Sequence, residues 1–506
     1  MNILFITADQ WRGECLSALD HPVVKTPNLD ALAKEGVLFK QHYAQATECA
    51  PSRTSIHTGM YMCNHRCVDN GTPIDSRLSN WALEMRKAGY DPSLFGYTDS
   101  ATDPRGLDKN DPRLVNYSEP MAGFGSYTQY KEEVSADWVH SLISKGYEMP
   151  EKLWDLHGDT VEGVDWKDGG DVLLPLKIKA EDHETHFMVD KCIEWINGQQ
   201  KKPWVTHLSM LRPHPPFTAP APYHLFCDPA EQTHPIRSGS ASEEGQQHPF
   251  LKYHIENTRW GSPESVNKIQ QAKAHYYGLM SEVDNNVGRL IDQLKTSGEW
   301  ESTLIILTSD HGEQMGDHWL IGKMGYFDQS YHVPLIIRDP RASADASRGI
   351  HIEAFTENID IMPTMLDWLG CDIPAQCDGH SLMPILQSGE VPESWRKEVH
   401  WEYDFRLVLD DTVERHFGLT AHQCSLTVIR DNRYKYVHFT ALPPLFFDLE
   451  ADPNEFTNLA DKAEYQSLVL EYAQKMLSWR MNHTDRSLTE IFITENGPMT
   501  RRSALT

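Results

Sequence analysis

Two apolar runs of strand length, near opposite ends of a long central segment, each stop at an acidic residue followed by a second polar side chain. Residues 3–7 (Ile-Leu-Phe-Ile-Thr) run into Ala8-Asp9-Gln10, and residues 303–307 run into Thr308-Ser309-Asp310-His311. A continuous apolar run without alternation marks a strand buried on both faces, as in a parallel sheet covered by helices. Helical stretches separate such runs. Thr26-Pro27-Asn28 opens a helix through Leu29, Leu32 and Ala33 that closes at Gly36, with N-cap, Pro and terminal Gly in their preferred places. Residues 81–88 read as a helix before a strand at 93–97, and 186–197 as a helix before a strand at 204–208. The clearest amphipathic helix covers 266–297, with Val283, Val287, Leu290, Ile291 and Leu294 on one stripe and Gly298 beyond it. The alternation predicts an α/β fold, a large mixed, mostly parallel sheet sandwiched by helices.

After a helix near 359–369 the pattern changes. Residues 398–403, 426–430 and 434–439 read as short antiparallel strands, followed by a last helix at 465–481. The expectation is a catalytic α/β domain over 1–380 and a smaller C-terminal α+β domain over 381–506, whose polar tail with Arg501 and Arg502 reaches a neighbouring subunit of a dimer or tetramer. Residues 99–180 and 219–262, rich in Pro with Asp, Gly or His, read as surface excursions, the first over the active face.

In open α/β sheets, sites form beyond the carboxyl ends of the strands. Asp9, Gln10 and Asp310 offer oxygen ligands there and His311 a nitrogen, a mix that favours Mn²⁺, Mg²⁺ or Ca²⁺ over Zn²⁺. The competing assignment is that Asp9 and Asp310 only cap the helices after their strands. A cation fits the charge balance: with 46 basic and 73 acidic residues the chain carries −27, which excludes nucleic acid and anionic membrane as partners. An anionic substrate then needs a local island of positive charge. No stretch approaches membrane-spanning length, and Met1-Asn2 leads straight into the first strand without a basic leader. The nine cysteines have no framework spacing and their odd count fits reduced thiols in a cytoplasm. Cys63 and Cys67 read as structural, and His183-Glu184-Thr185-His186, with its histidines three apart, as a helix start and not a zinc motif.

Cys49-Ala50-Pro51-Ser52-Arg53, continuing to Thr58-Gly59, reads as a turn entering a helix. Residues four apart share a helix face, so the Arg53 guanidinium lies beside position 49. A nucleophile at a helix N-terminus with a fixed cation is placed to attack an anionic centre.

Cys49, Pro51, Ser52, Arg53, Thr58 and Gly59 together resemble the signature of the sulfatase family; His57 stands where the family usually has Leu. The Asp-Gln and Asp-His pairs resemble the phosphonate monoester hydrolase group within the alkaline phosphatase superfamily. So do residues 24–30, Asn64-His65-Arg66, Arg212-Pro213-His214-Pro215-Pro216-Phe217, 308–323 and 434–449. The resemblance implies that a maturation enzyme converts Cys49 to formylglycine, whose hydrate supplies the nucleophile. It further implies one divalent ion (Mn²⁺ or Ca²⁺, or else Mg²⁺) on Asp9, Gln10, position 49, Asp310 and His311. Arg53 and Lys323 would offset charge on the transferred group, His214 or Lys323 would protonate the leaving alcohol, and Asn70, Tyr97 and Thr98 would line the pocket. Asp99 stands where that group often carries Thr, and a carboxylate there repels an anion unless it pairs with a cation or points away. The implied activity is promiscuous hydrolysis of monoanionic esters: phosphonate monoesters, phosphodiesters and sulfate monoesters. The alternatives are a specific arylsulfatase, or a silent binding protein with an unmodified cysteine.

Overall fold

The computed structural model describes residues 1–500 apart from 117, 129, 132–133, 162–172, 200, 257–258 and 486. Arg501 and Arg502 lie outside the described residues. The main sheet has eight strands: β1 (Asn2–Ala8), β2 (Val37–Tyr43), β3 (Ser93–Phe95), β4 (Gly125–Ser126), β5 (Val205–Met210), β6 (Thr303–Thr308), β7 (Leu335–Arg338) and β8 (Ile350–Glu357). Their spatial order is β8-β2-β7-β6-β1-β5-β3-β4, and among the described strands of this sheet β7 alone runs antiparallel to its neighbours. The two runs that end in acidic residues are therefore neighbours. β1 pairs in parallel with β6 through Asn2↔Thr303 to Thr7↔Thr308, which carries Asp9 and Asp310 out of the sheet at the same edge. Ile3, Leu4, Phe5 and Ile6 are fully buried, each side chain contributing roughly 2 kcal/mol of apolar burial.

The long helix Val266–Ser297 begins where Ser265 accepts from the Lys268 amide at 3.4 Å and ends at Gly298 in the left-handed region. It is buried on more than the expected stripe. Residues 272–284 are all buried, because the helix packs between Pro27–Glu35 and Glu184–Gly198. It also corrects the reading of the first helix. Thr26 makes no side-chain cap; instead the Asp284 carboxylate accepts from the Leu29 amide at 2.8 Å and from the Asn28 side chain at 2.8 Å. Gly36 is not a left-handed cap either, with φ −133°; it is glycine because a Cβ would lie 2.4 Å from the Ile337 carbonyl oxygen. The helix Glu184–Gly198 starts after His183, whose imidazole does not cap it but lies 3.2 Å from the Glu282 carboxylate. His57 packs among Trp81, Phe124 and His207. Burial pushes its imidazole down to about 3, so it serves as neutral core where the signature usually has Leu.

The C-terminal strands form a separate antiparallel sheet of Val399–Asp404, Ser425–Arg430, Tyr434–Phe439 and Leu445–Asp448. Trp401 stacks on Tyr43 at 5.7 Å and on Tyr331 at 4.8 Å, joining this sheet to the main one. Lys435, fully buried between them, meets Asp328 and Glu455 at 2.8 Å each. The helix Gln466–Asn482 covers the sheet, and a hairpin of Ile491–Thr494 and Gly497–Thr500 follows. Among the described residues, no helix is long and apolar enough to cross a membrane.

Candidate active site

Four elements deliver the site. β1 and β6 supply Asp9-Gln10 and Asp310-His311. The helix Cys49–Thr58 starts at the cysteine itself, and its first-turn amide at Ala50 donates to the Asn70 side chain at 2.9 Å. One turn on, Ser52 donates its hydroxyl to the Asp310 carbonyl, tying the helix to the end of β6. β3 gives way to Gly96, where φ is +104° and a Cβ would lie 1.9 Å from the Ser209 carbonyl oxygen. That glycine lets the chain turn against β5 and bring Tyr97 under the site.

One ligand atom each from Asp9, Cys49, Asp310 and His311 lies within 4.8 Å of all the others, and all four residues are buried. His311 Nδ1 lies 3.1 Å from the Gly312 carbonyl, which only accepts, so Nδ1 carries the proton and Nε2 turns its lone pair to the cluster. Gln10 Nε2 donates to the Glu313 carboxylate, which leaves Gln10 Oε1 buried without a hydrogen-bond partner among the described residues. A buried acceptor without a donor is costly unless a cation is its partner. The electrostatics agree: burial and the charge of Asp9 push the Asp310 carboxyl up to about 7. Hard oxygens from Asp9, Asp310 and Gln10 with one imidazole therefore fit a divalent ion.

Lys323 Nζ lies 2.8 Å from Cys49 Sγ and 3.0 Å from His311 Nε2. Burial opposes its charge, but Cys49, Glu48, Asp9 and Asp310 outweigh burial and raise its pKa, so it is an ammonium. Burial and the Asp9 charge raise the Cys49 thiol well above its ordinary value. The unmodified thiol is therefore a poor nucleophile here.

Arg53 serves the ligands themselves. Its Nε donates to Asp310 at 2.9 Å, one terminal nitrogen to Asp9 at 2.9 Å, and the other to the Tyr97 carbonyl at 3.1 Å and to Ser209 Oγ at 2.7 Å. Its guanidinium sits 4.2 Å above the Tyr97 ring. The Tyr97 hydroxyl in turn donates to Asp9 at 2.6 Å. Neither residue walls the cavity above the nucleophile. Thr98 is further off, fully buried, its hydroxyl bonded to the Glu119 carbonyl and the Met121 amide. The three thus stand beneath the pocket rather than around it, because β3 ends two residues before Tyr97 and the chain passes under the ligands. Asp99 is buried below as well, 3.9 Å from Arg53 Nε, so this carboxylate pairs with a cation.

Above the ligands opens a cavity of about 430 Å³. Gln10, Glu48, Asn70, His214, Glu313 and Lys323 supply its polar lining, and Trp154, Phe217 and Trp260 its aromatic walls, with Arg259 at the rim. His214 is fixed by Nδ1 on the Pro215 carbonyl at 2.7 Å, and its loop is held by Arg212 on the carbonyls of His214 and Pro216. Burial pushes its imidazole down to about 4, so it rests neutral. Sequence reasoning passed over Glu48, Trp154, Arg259, Trp260, Ser209 and Glu313. Ser209, one residue before the end of β5, Glu313, five residues beyond the end of β6, and Glu48, next to Cys49, had a signal in their places; Trp154, Arg259 and Trp260 sit in excursions without periodicity and had none.

Residues 1–371 match the family described as Sulfatase, and 316–482 that described as N-sulphoglucosamine sulphohydrolase, C-terminal. The chain is 42% identical over 521 residues to the multifunctional alkaline phosphatase superfamily protein PehA of Trinickia caryophylli, covering 99% of both chains. It is 27% identical to an arylsulfatase of Clostridium perfringens, covering 97% of this chain and 96% of the other. The crystal structure of a phosphonate monoester hydrolase of Agrobacterium radiobacter superposes with a TM-score of 0.93 at 44% identity, covering 99% of both chains.

Proposed function

Because the chain belongs to the sulfatase family, we propose that it hydrolyses monoanionic esters (phosphonate monoesters, phosphodiesters and sulfate monoesters alike) through a nucleophile derived from Cys49 beside one divalent ion. It is an ester-bond hydrolase of this family, and the finer reading rests on one observation. The donor atoms of Asp9, Cys49, Asp310 and His311 meet within 4.8 Å, and Lys323, in contact with Cys49 and His311, lines the adjoining cavity. A relative named as a phosphonate monoester hydrolase and another named as an arylsulfatase support the breadth of substrate.

Formylglycine at position 49, formed by a maturation enzyme, would supply a hydrated aldehyde in place of the poorly ionised thiol. The ion, Mn²⁺, Ca²⁺ or Mg²⁺ on Asp9, Gln10, Asp310 and His311, would supply Lewis-acid stabilisation of a developing oxyanion. The chain's own residues do the rest. Arg53 holds both carboxylates in register. Lys323 places an ammonium against the nucleophilic atom and the non-bridging oxygens. Lys323, charged at rest, or His214 once it has taken up a proton, would pass a proton to the leaving alcohol. Asn70 holds the first turn of the nucleophile helix.

The nine free cysteines support a reducing cytoplasm. The exposed Ile491, Phe492, Ile493 and Met499 of the C-terminal hairpin support a homo-oligomer, as dimer or tetramer. The catalytic unit is assigned to 1–380 and the smaller one to 381–506. The test is a comparison of kcat/KM for an aryl phosphonate monoester, an aryl phosphodiester and an aryl sulfate with one leaving group, beside mass spectrometry of the peptide containing Cys49. Turnover of all three with an aldehyde at position 49 is the expected result. An unmodified thiol in active protein overturns the nucleophile, and sulfate turnover alone makes the protein a specific arylsulfatase.

A further inference from the structure

Two carboxylates line a cavity built for an anion, and they are not equivalent. Glu313 is committed: its oxygens accept from the Met315 amide at 2.8 Å, the Gly322 amide at 2.7 Å and the Gln10 side chain. Glu48 is held more loosely. Its Oε2 lies 3.5 Å from Asn70 Nδ2 and 3.9 Å from the Lys323 ammonium, and Arg259 is a further cation on the cavity lining. Since that ammonium is itself 2.8 Å from Cys49 Sγ, the Glu48 carboxylate stands within about 7 Å of the nucleophilic atom. Its backbone adds a second observation. Glu48 sits immediately before the nucleophile helix with φ +66°, a left-handed conformation that favours glycine, yet the position carries a side chain that enters the cavity.

Electrostatics decides what such a group does. The divalent ion that Asp9, Cys49, Asp310 and His311 would hold and the Lys323 ammonium would together offset one negative charge on the substrate; a second charge meets Glu48 in the same cavity. Resting on the reading that this site hydrolyses monoanionic esters, we propose that Glu48 is a specificity-determining residue that rejects dianionic esters, phosphate monoesters above all, by placing a carboxylate beside Lys323. A unit charge at this distance in a partly screened site discriminates on the order of tenfold to a hundredfold.

Glu48→Gln keeps an acceptor for Asn70 and removes the charge, whereas Glu48→Asp keeps the charge. For the metal-loaded enzyme, kcat/KM is measured at pH 8 on an aryl phosphodiester and an aryl phosphate monoester with the same leaving group. The monoester-to-diester ratio should rise tenfold or more in Glu48→Gln and stay near the wild-type value in Glu48→Asp. A ratio within twofold of wild type in Glu48→Gln, while the wild-type enzyme turns over the diester, overturns this proposal and leaves the ester-hydrolase reading intact. A wild-type enzyme without diester turnover overturns both. Should Glu48→Gln not fold, the wild-type enzyme decides: it should bind the monomethyl ester of phenylphosphonate at least tenfold more tightly than the phenylphosphonate dianion, and equal affinities overturn the proposal.

Discussion

The Lys323 ammonium touches the Cys49 sulfur at 2.8 Å, so this cation sits on the nucleophile's side of the reacting centre. In an in-line displacement the leaving oxygen departs from the opposite side. Lys323→Ala should therefore lower kcat/KM by on the order of 10²–10³, as loss of one preorganised donor does, and by the same factor for good and poor leaving groups. A series of aryl diesters spanning leaving-group pKa measures this. A loss that grows steeply with leaving-group pKa would assign Lys323 to protonation of the alcohol and remove His214 from that role.

Tyr97 acts through Asp9. Its hydroxyl donates to Asp9 at 2.6 Å while the ring carries the Arg53 guanidinium. Tyr97→Phe keeps the ring and deletes the donor. Partners of metal ligands typically matter ten- to a hundredfold in affinity, so metal titration of the variant should show about tenfold weaker binding, with KM for the ester unchanged at saturating metal.

These two residues also show what the sequence could and could not convey. Asp9, Gln10, Asp310 and His311 were legible because a strand end is a local feature and two parallel neighbours must deliver their ends to one place. The Cys49–Arg53 spacing was legible because helix periodicity is local too. Tyr97 was legible only as a resident of the site. That it stands under the ligands depends on Gly96 meeting the Ser209 carbonyl, more than a hundred positions away. β2, β7 and β8 were not read as strands. Lys40-Gln41-His42 interrupts the apolar run of β2, and β7 has four residues, too few for a period to show. The cap on the first helix comes from Asp284, 255 positions beyond Leu29, a distance at which no motif operates.

That cap has a pH signature. Burial raises the Asp284 carboxyl to about 6 although Leu29 and Asn28 donate to it. An acid whose folded pKa lies above its unfolded value stabilises the fold most when protonated. The contribution is full below about pH 4, declines between about 4 and 6, and is gone above, a change of roughly 3 kcal/mol. Asp284→Asn does not titrate. Urea unfolding of both proteins at pH 4.5, 5.5 and 7 should show the variant gaining on wild type as pH rises to 6 and a constant difference beyond it.

Glu313 sets which end of the Gln10 amide would be offered to an ion. Its Oε1 is occupied by the Met315 and Gly322 amides, so Oε2 is the atom that receives Gln10 Nε2 and turns Gln10 Oε1 inward. Glu313→Gln preserves shape and keeps an oxygen for the two backbone amides, but it must then present its NH₂ to Gln10. The Gln10 amide satisfies that donor only by rotating, which turns its own NH₂ toward the ion in place of an oxygen ligand. Metal affinity should fall ten- to a hundredfold, while thermal unfolding of the metal-free protein stays within a few degrees of wild type, because every hydrogen bond is remade. Calorimetric titration with Mn²⁺ checks the first and a thermal melt in chelator the second. An affinity equal to wild type would mean that Gln10 does not ligate the ion.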